Sequence, residues 1–503
     1  MPQNADTSKV TPQPAPEWLP PGGTLLAGGR VVDPANGVDE VADVYLLDDS
    51  VAGVFREKTI GAWMPAVRLN VTGSVVAPGF VDLHSHLDDP DDALLQAFDG
   101  VTTALDLESG AADLAGLHAA MLSRGHPVNF GHSAAWALSR MSVTLSRPAA
   151  GAFAAFAEGQ KDHRWQRPLR PGEDRGLLAR LEKELADGAI GIGVLLGYAP
   201  GTAPEEYCAV AAMAAGAKVP LITHARSMSV RPRGGSLDAV AEIIAASRDF
   251  GTATHICHVN STALRQVRQA LELVAAARAQ GLPVSTEAYP YGCASTVVGA
   301  PFLEPAALGD LGISLDDVRM ADGSVFSSPR ELTQRRRSQP GDLALFDWLD
   351  ERAADDRRLL LEPFATEGVV VASDAMPRSR VLRGPASGGR FAHPRGAASF
   401  SRAFRLMVRE ERRWDLMEFV RRCSVLPAGL LASSCAAMRA KGHLGPGADA
   451  DVVVFAPERF TDMATYERTV PSAGMEHVFV NGRQIVRFGE PVAGQRPGRA
   501  IHC

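Results

Sequence analysis

Eight apolar, strand-like runs recur along this 503-residue chain, and Ala-rich helical stretches separate several of them. The runs are "VVAPGFVDLHSH" from Val75, "VTTALDLESG" from Val101, "PVNFGHSA" from Pro127, "AIGIGVLLGY" from Ala189, "VPLITHARS" from Val219, "TATHICHVNST" from Thr252, "LPVSTEAYPY" from Leu282 and "GVVVASDAMP" from Gly368. Strands this uniformly apolar bury both faces, as those of parallel sheets do. Segments such as "LLARLEKELADG", "SLDAVAEIIAASRDFG" and "ALRQVRQALELVAAARAQG" supply the crossover helices. Eight such units predict an α/β fold in which a TIM-like (β/α)8 barrel closes on itself.

The flanks have another texture. Residues 23–74 and 441–503 hold short alternating strands such as "TLLAGGRVVDP", "VADVYLLDD", "ADVVVFAP" and "MEHVFVNGRQIV". They predict a small β-sandwich domain built from both chain ends, with a barrel over residues 75–440 inserted in it. Residues 1–22 read as a disordered, Pro-rich lead-in without a signal-peptide pattern. Residues 308–347 fit neither texture, and an irregular insertion at the loop end of a barrel is expected to be a lid.

Composition narrows the function. A net charge of −7 gives no reason to expect a nucleic-acid partner. Arg335-Arg336-Arg337 reads as a solvated loop face. No apolar run reaches the ~18 residues of a membrane span. Six cysteines without a CxxC pair are too sparse for a disulfide framework and fit a reducing cytoplasm. The composition is compatible with a homo-oligomer.

The polar residues fall at strand ends, where barrels build their active sites. The first run ends in His84 and His86, the second in Asp106 and Glu108. The third carries His132, the fifth His224 and the sixth His255 and His258. The seventh ends in Tyr289 and Tyr291, the eighth in Asp374. His84 and His86 share strand parity and can face one ion. His255 and His258 are three apart, so one regular strand would face them oppositely. His258, nearer the end, is the expected ligand, and His255 the packed histidine. Asp82, Cys257, Cys293 and Asp88 to Asp92 are read as structural or solvated. Imidazole and carboxylate donors suit zinc, with manganese, iron or cobalt as other divalent candidates. A pair of ions needs an anionic bridge. The fourth run offers no lysine or glutamate, so Glu108 is the expected bridge, with Asp106 behind it.

Several motifs in order give this chain a family likeness. "PGFVDLHSH", "GVTTAL", "SDAMP" and the closing "GHLGPGADADVVVFAP…VFVNG" resemble the amidohydrolase superfamily. "LGYAPGTAPEEY", "YPYGCAST", "GVVVASD" and "HPRGAASFSRAF" resemble its N-acyl-D-amino-acid deacylases. The resemblance implies His84, His86 and Asp374 at one metal position and His224 and His258 at the other, holding one or two zinc ions. It implies Asp374 as general base, Tyr289 and Ser295 at the scissile carbonyl, and Tyr198 in the substrate pocket. His132 is a further candidate substrate contact. Arg395 of "HPR" would hold the substrate α-carboxylate, which a guanidinium fork matches with two parallel hydrogen bonds. Two departures stand out. Where the family has a bridging cysteine after its second strand, this chain has Ser109 beside Glu108. Where the family has a carboxylate-binding lysine, it has Asn260. The implied substrate is a small N-acyl-D-amino acid, with acidic ones such as N-acyl-D-glutamate included. Cyclic amide or lactone hydrolysis is the alternative within the superfamily, and a non-catalytic assembly protein the alternative outside it.

Overall fold

The computed structural model describes residues 22–56, 65–378 and 393–503. The expected lead-in therefore lies almost wholly outside the described residues. In chain order, β1 (Thr24–Asp33), β2 (Val38–Leu47), β3 (Ser50–Arg56), β4 (Val67–Asn70) and β5 (Val75–Pro78) come first. The strands β6 (Phe80–Asp82), β7 (Val101–Ala111), β8 (Asn129–Ala135), β9 (Ile192–Leu195), β10 (Leu221–His224), β11 (Thr254–Ile256) and β12 (Val284–Ala288) follow. After β13 (Cys293–Val297), β14 (Val318–Met320) and β15 (Leu343–Asp347) comes β16 (Val369–Val371). The chain closes with β17 (Val452–Phe455), β18 (Met475–Val480), β19 (Arg483–Arg487) and β20 (Glu490–Pro491).

The eight apolar runs supply one parallel sheet of order β6-β7-β8-β9-β10-β11-β12-β16. Its ends meet where His86 N–H donates to the Ala375 carbonyl at 2.9 Å and Ser85 bridges Ala375 in parallel register. The barrel is thereby nearly closed.

The chain ends form a nine-stranded sheet in which β17 pairs with β5 and β18, and β5 with β1. Alternation explains why "VVVF" is apolar throughout. Val452 and Val454 join a core with Val76, Val31 and Val44, while Val453 and Phe455 point the other way into the barrel's helical shell. The first apolar run thus divides at Gly79: Val75–Pro78 belongs to the end sheet, and Phe80 starts the barrel. Gly79 passes so close to Thr102 that a Cβ would lie 2.1 Å from its Oγ1.

Three expectations need correction. The 308–347 insertion is not irregular. Together with β13 it forms a three-stranded antiparallel sheet, and it packs its own core of Leu311, Val318, Met320, Leu332 and Phe346. Arg336 is not on a solvated loop. It lies buried in the helix Pro329–Ser338, donating to the carbonyls of Val298 and Ala300. Cys435 and Cys503 form a disulfide, against the reducing environment inferred from sparse cysteines. No helix among the described residues is long and apolar enough to cross a membrane.

Candidate metal centre

Six side chains converge at the C-terminal mouth of the barrel: His84 and His86 beyond β6, Glu108 of β7, His224 of β10, His258 after β11 and Asp374 after β16. All are buried. His84 Nε2 and His86 Nε2 lie 3.1 Å apart. Asp374 Oδ1 is 3.4 and 3.6 Å from them, and Glu108 Oε2 is 3.2 and 3.6 Å from them. A tetrahedron built on ~2.0–2.1 Å bonds to zinc has edges of about 3.3–3.4 Å, which these separations bracket. The other oxygen, Glu108 Oε1, lies 3.0 Å from His258 Nε2, and Glu108, His224 and His258 form a second group of ligand atoms within 4.8 Å of one another. Glu108 therefore faces both groups, as a bridge must. The shorter neighbour, Asp106, turns away from this centre.

The tautomers agree with a cation. His84 Nδ1 lies 2.5 Å from Glu287 Oε1, and His86 Nδ1 lies 3.0 Å from Asp106 Oδ2. Each Nδ1 then carries the proton, so both Nε2 lone pairs aim at one point already ringed by carboxylate oxygens. That arrangement is repulsive unless a metal ion, or a proton on an imidazole, stands between the groups. The titration behaviour shows the same field. Burial works against an imidazolium at His84, yet Glu108, Asp374 and Glu287 outweigh it and raise His84 well above the ordinary histidine value. Burial likewise opposes charge on His86, and Asp106 overcomes it. Burial would lift the Asp374 carboxyl, but Arg395 and His84 hold it below the usual range. Two of the six sit in left-handed backbone, Asp374 at φ 51° and His258 at φ 27°. Such strain gathers where the surroundings fix a functional geometry.

Around the centre, Arg395 Nη1 lies 2.9 Å from Asp374 Oδ2, without hydrogen-bond alignment, and Nη2 donates to the Ser295 carbonyl at 3.1 Å. Its guanidinium covers the Tyr289 ring at 4.8 Å. Asn260 Nδ2 donates to the Tyr289 carbonyl. The Tyr198 ring packs edge-on to His224 at 5.0 Å, but its hydroxyl is spent on Thr296. His132 is not free for a substrate contact. Its Nδ1 pairs with His118 Nε2 at 3.0 Å, and its Nε2 with Asp88 Oδ1 at 3.1 Å.

Residue reasoning missed one carboxylate altogether. Glu287, on β12, reaches His84 through Oε1 and His255 Nε2 through Oε2 at 3.1 Å. His255 is thus no mere packed histidine but a support for that carboxylate, itself held by Ser285 Oγ at 2.8 Å. The signal was present as a single acid inside a buried parallel strand, where a charge needs a partner. Cys257, expected in the core, is buried, and its Sγ lies within 4.8 Å of ligand atoms of His84 and Glu108. Asp89 caps the helix Pro90–Phe98 as a solvated turn residue would, whereas Asp92 is buried against Arg378.

Comparison with known proteins accords with this geometry. The chain is 27% identical to N-acyl-D-glutamate deacylase and 28% identical to D-aminoacylase, both of Alcaligenes xylosoxydans xylosoxydans. Each alignment covers 95% of this chain, and 96% and 97% of the relatives. The crystal structure of the N-acyl-D-glutamate deacylase of Bordetella bronchiseptica, complexed with zinc and a phosphonate inhibitor that mimics the tetrahedral intermediate, superposes with a TM-score of 0.74. It is 25% identical, over 95% of this chain and 99% of that one. The model of the Amidohydrolase family matches residues 69–486, and this chain belongs to that family.

Proposed function

We propose that this chain hydrolyses the amide bond of N-acyl-D-amino acids at a zinc centre held by His84, His86, Glu108, His224, His258 and Asp374. The observation that carries the reading is a set of buried donors beside that centre whose hydrogen bonds are not made, Arg395 Nη1 being paired with Asp374 by charge alone. Arg395 Nε and Nη1 and the Tyr289 hydroxyl make no hydrogen bond within the protein. Buried donors are rarely left so, and a bound anion satisfies them. A guanidinium and a phenol beside a hydrolytic base suit a substrate with a carboxylate next to its scissile amide.

The metal, when bound, supplies Lewis acidity that lowers the pKa of water toward ~7 and polarises the amide carbonyl. Asp374 is ionised, since Arg395 and His84 hold its carboxyl low despite burial. It takes the proton of the attacking water and returns it to the departing nitrogen. Burial keeps the Tyr289 hydroxyl protonated, so it can donate to the carbonyl oxygen as charge develops there. Arg395 draws the substrate carboxylate toward Asp374 and fixes the amide beside it. Ser295 adjoins the carbonyl from β13, and Tyr198 walls the pocket on the His224 side. The Asn260 Oδ1 acceptor is buried and unpaired, leaving room for an N–H donor of the substrate.

The test is a screen of zinc-reconstituted protein against N-acetyl-D- and N-acetyl-L-methionine and -glutamate, beside a hydantoin and a lactone. Release of free D-amino acid is expected. Turnover of the cyclic compounds alone would transfer the chain to the other branch of chemistry.

A further inference from the structure

At the end of the barrel away from the metal centre, β8 starts ahead of its neighbour β9. The ladder between them pairs only Ala134 and Ala135, with Ile192 and Gly193, and leaves the first residues of β8 to another partner. Residues 497–503 supply it. Phe130 N–H donates to the Arg499 carbonyl at 3.0 Å, Ile501 N–H to the Phe130 carbonyl at 2.7 Å and Cys503 N–H to the Gly188 carbonyl at 3.2 Å. Phe130 and Ala500 bridge in parallel register. Ile501 is buried and joins the interior core of Val81, Leu105, Ile222 and Val370. Two glycines make way for this strap. A Cβ on Gly131 would lie 3.2 Å from the Ile501 Cβ, and one on Gly188 would lie 2.7 Å from His502 Nδ1. The Cys435–Cys503 disulfide ties the strap to the turn between the helices Leu426–Leu431 and Ala436–Ala440, which pack on the same core. We infer that this disulfide is a redox-operated latch. Closed, it holds the strap as part of the barrel wall. Reduced, it lets the strap open while the rest of the barrel stays folded.

Three features suit the pair to this role. Apart from the disulfide, the strap is held by a few hydrogen bonds, the exposed Arg499–Asp49 ion pair and the Ile501 side chain. A segment so held opens locally at low cost. The cross-link joins residues 68 apart in sequence, and such a link removes most of the freedom that the opened strap would gain. The two sulfurs also differ in access, since Cys435 is buried and Cys503 exposed. A thiolate of a dithiol reductant therefore attacks the Cys503 sulfur. The S–S bond breaks, and the Cys435 sulfur leaves and takes a proton. The reductant's second thiolate then displaces Cys503, which also leaves as a thiol. Two electrons and two protons pass to the protein, and the dithiol departs as a cyclic disulfide. Cys208, Cys257, Cys293 and Cys423 are free thiols, so this exchange has a single target among the described residues. The strap also shares its core with the metal centre's floor, because Leu83, Leu107 and Cys257 of that core adjoin His84, Glu108 and His258.

The latch needs neither metal nor substrate, so its test is independent of the proposed activity. Thiols are counted in denatured, air-oxidised protein before and after treatment with dithiothreitol, and hydrogen exchange of the folded protein is followed by mass spectrometry in both states. Four thiols should titrate before reduction and six after it. Reduction should speed exchange roughly tenfold or more in the peptides that carry the Phe130 and Ile501 amides. Exchange in β2, in the end sheet, should not change. Cys503→Ser alters only an exposed side chain. It should exchange at the fast rate in the same two peptides without reductant, and dithiothreitol should add nothing. Six thiols in air-oxidised protein would overturn the latch. So would unchanged exchange on reduction, equal speeding in β2, or slow exchange in Cys503→Ser.

Discussion

The strands β16 and β17 open alike, "VVV" in both, and all six valines are fully buried. In each, alternate residues enter different cores. Val370 faces the barrel interior while Val369 and Val371 face the helical shell, and Val453 separates in the same way from Val452 and Val454. Their burial is equivalent, yet one strand leads to chemistry and the other does not. β16 runs parallel to seven others, so all eight C-terminal ends open at one mouth and Asp374 meets imidazoles and a carboxylate from four more strands. β17 lies antiparallel to both its neighbours, so successive ends point opposite ways. An apolar strand therefore carries a site only if its sheet gathers the ends of its fellows.

That contrast can be broken from either side. Asp374→Asn should lower kcat by roughly 10²- to 10⁴-fold, as loss of a general base does, with the melting temperature little changed. Single-turnover assays and calorimetry would check both halves of this. Glu108→Ala should cost at least one bound zinc, measured as metal per chain, because both groups of ligands use its carboxylate. On the other strand, Phe455→Ala should destabilise the fold by about 3–5 kcal/mol in denaturant titration, from loss of a fully buried ring packed on Phe404 and Phe460. Its kcat should hold at temperatures where the variant stays folded. The smallest effect sharpens the comparison within the mouth. Arg395→Gln should raise KM roughly 10- to 100-fold, the worth of a charged hydrogen bond. Because Arg395 holds the Asp374 carboxyl low, its removal should also move the acid limb of the pH–rate profile to higher pH.

The barrel and the polar residues gathered at its mouth were legible because each depends on local pattern. Apolar runs mark parallel strands, and polar residues at their ends mark the mouth, so His84, His86, His224, His258 and Asp374 could be named from position alone. What stayed hidden depends on pairing across the chain. Glu287 acquires its role from His84, 203 residues away, and nothing near it in sequence discloses that. Cys435 and Cys503 are likewise joined only by the fold. The parity rule misled at His255 because β11 stops at Ile256, and His258, in left-handed backbone, no longer obeys it. The His255 ring reaches Glu287, while His258 gives that carboxylate only its backbone N–H and turns its ring to Glu108.

The central claim is that buried imidazoles and carboxylates at the barrel mouth hold zinc in order to cleave an N-acyl-D-amino acid. It is tested most directly by stripping the protein of metal and restoring zinc while following racemic N-acetylmethionine by chiral chromatography. The account predicts no release from metal-free protein, and release of the D-amino acid alone once zinc is restored. Undiminished turnover by the metal-free protein, or release of the L-amino acid alone, would contradict it.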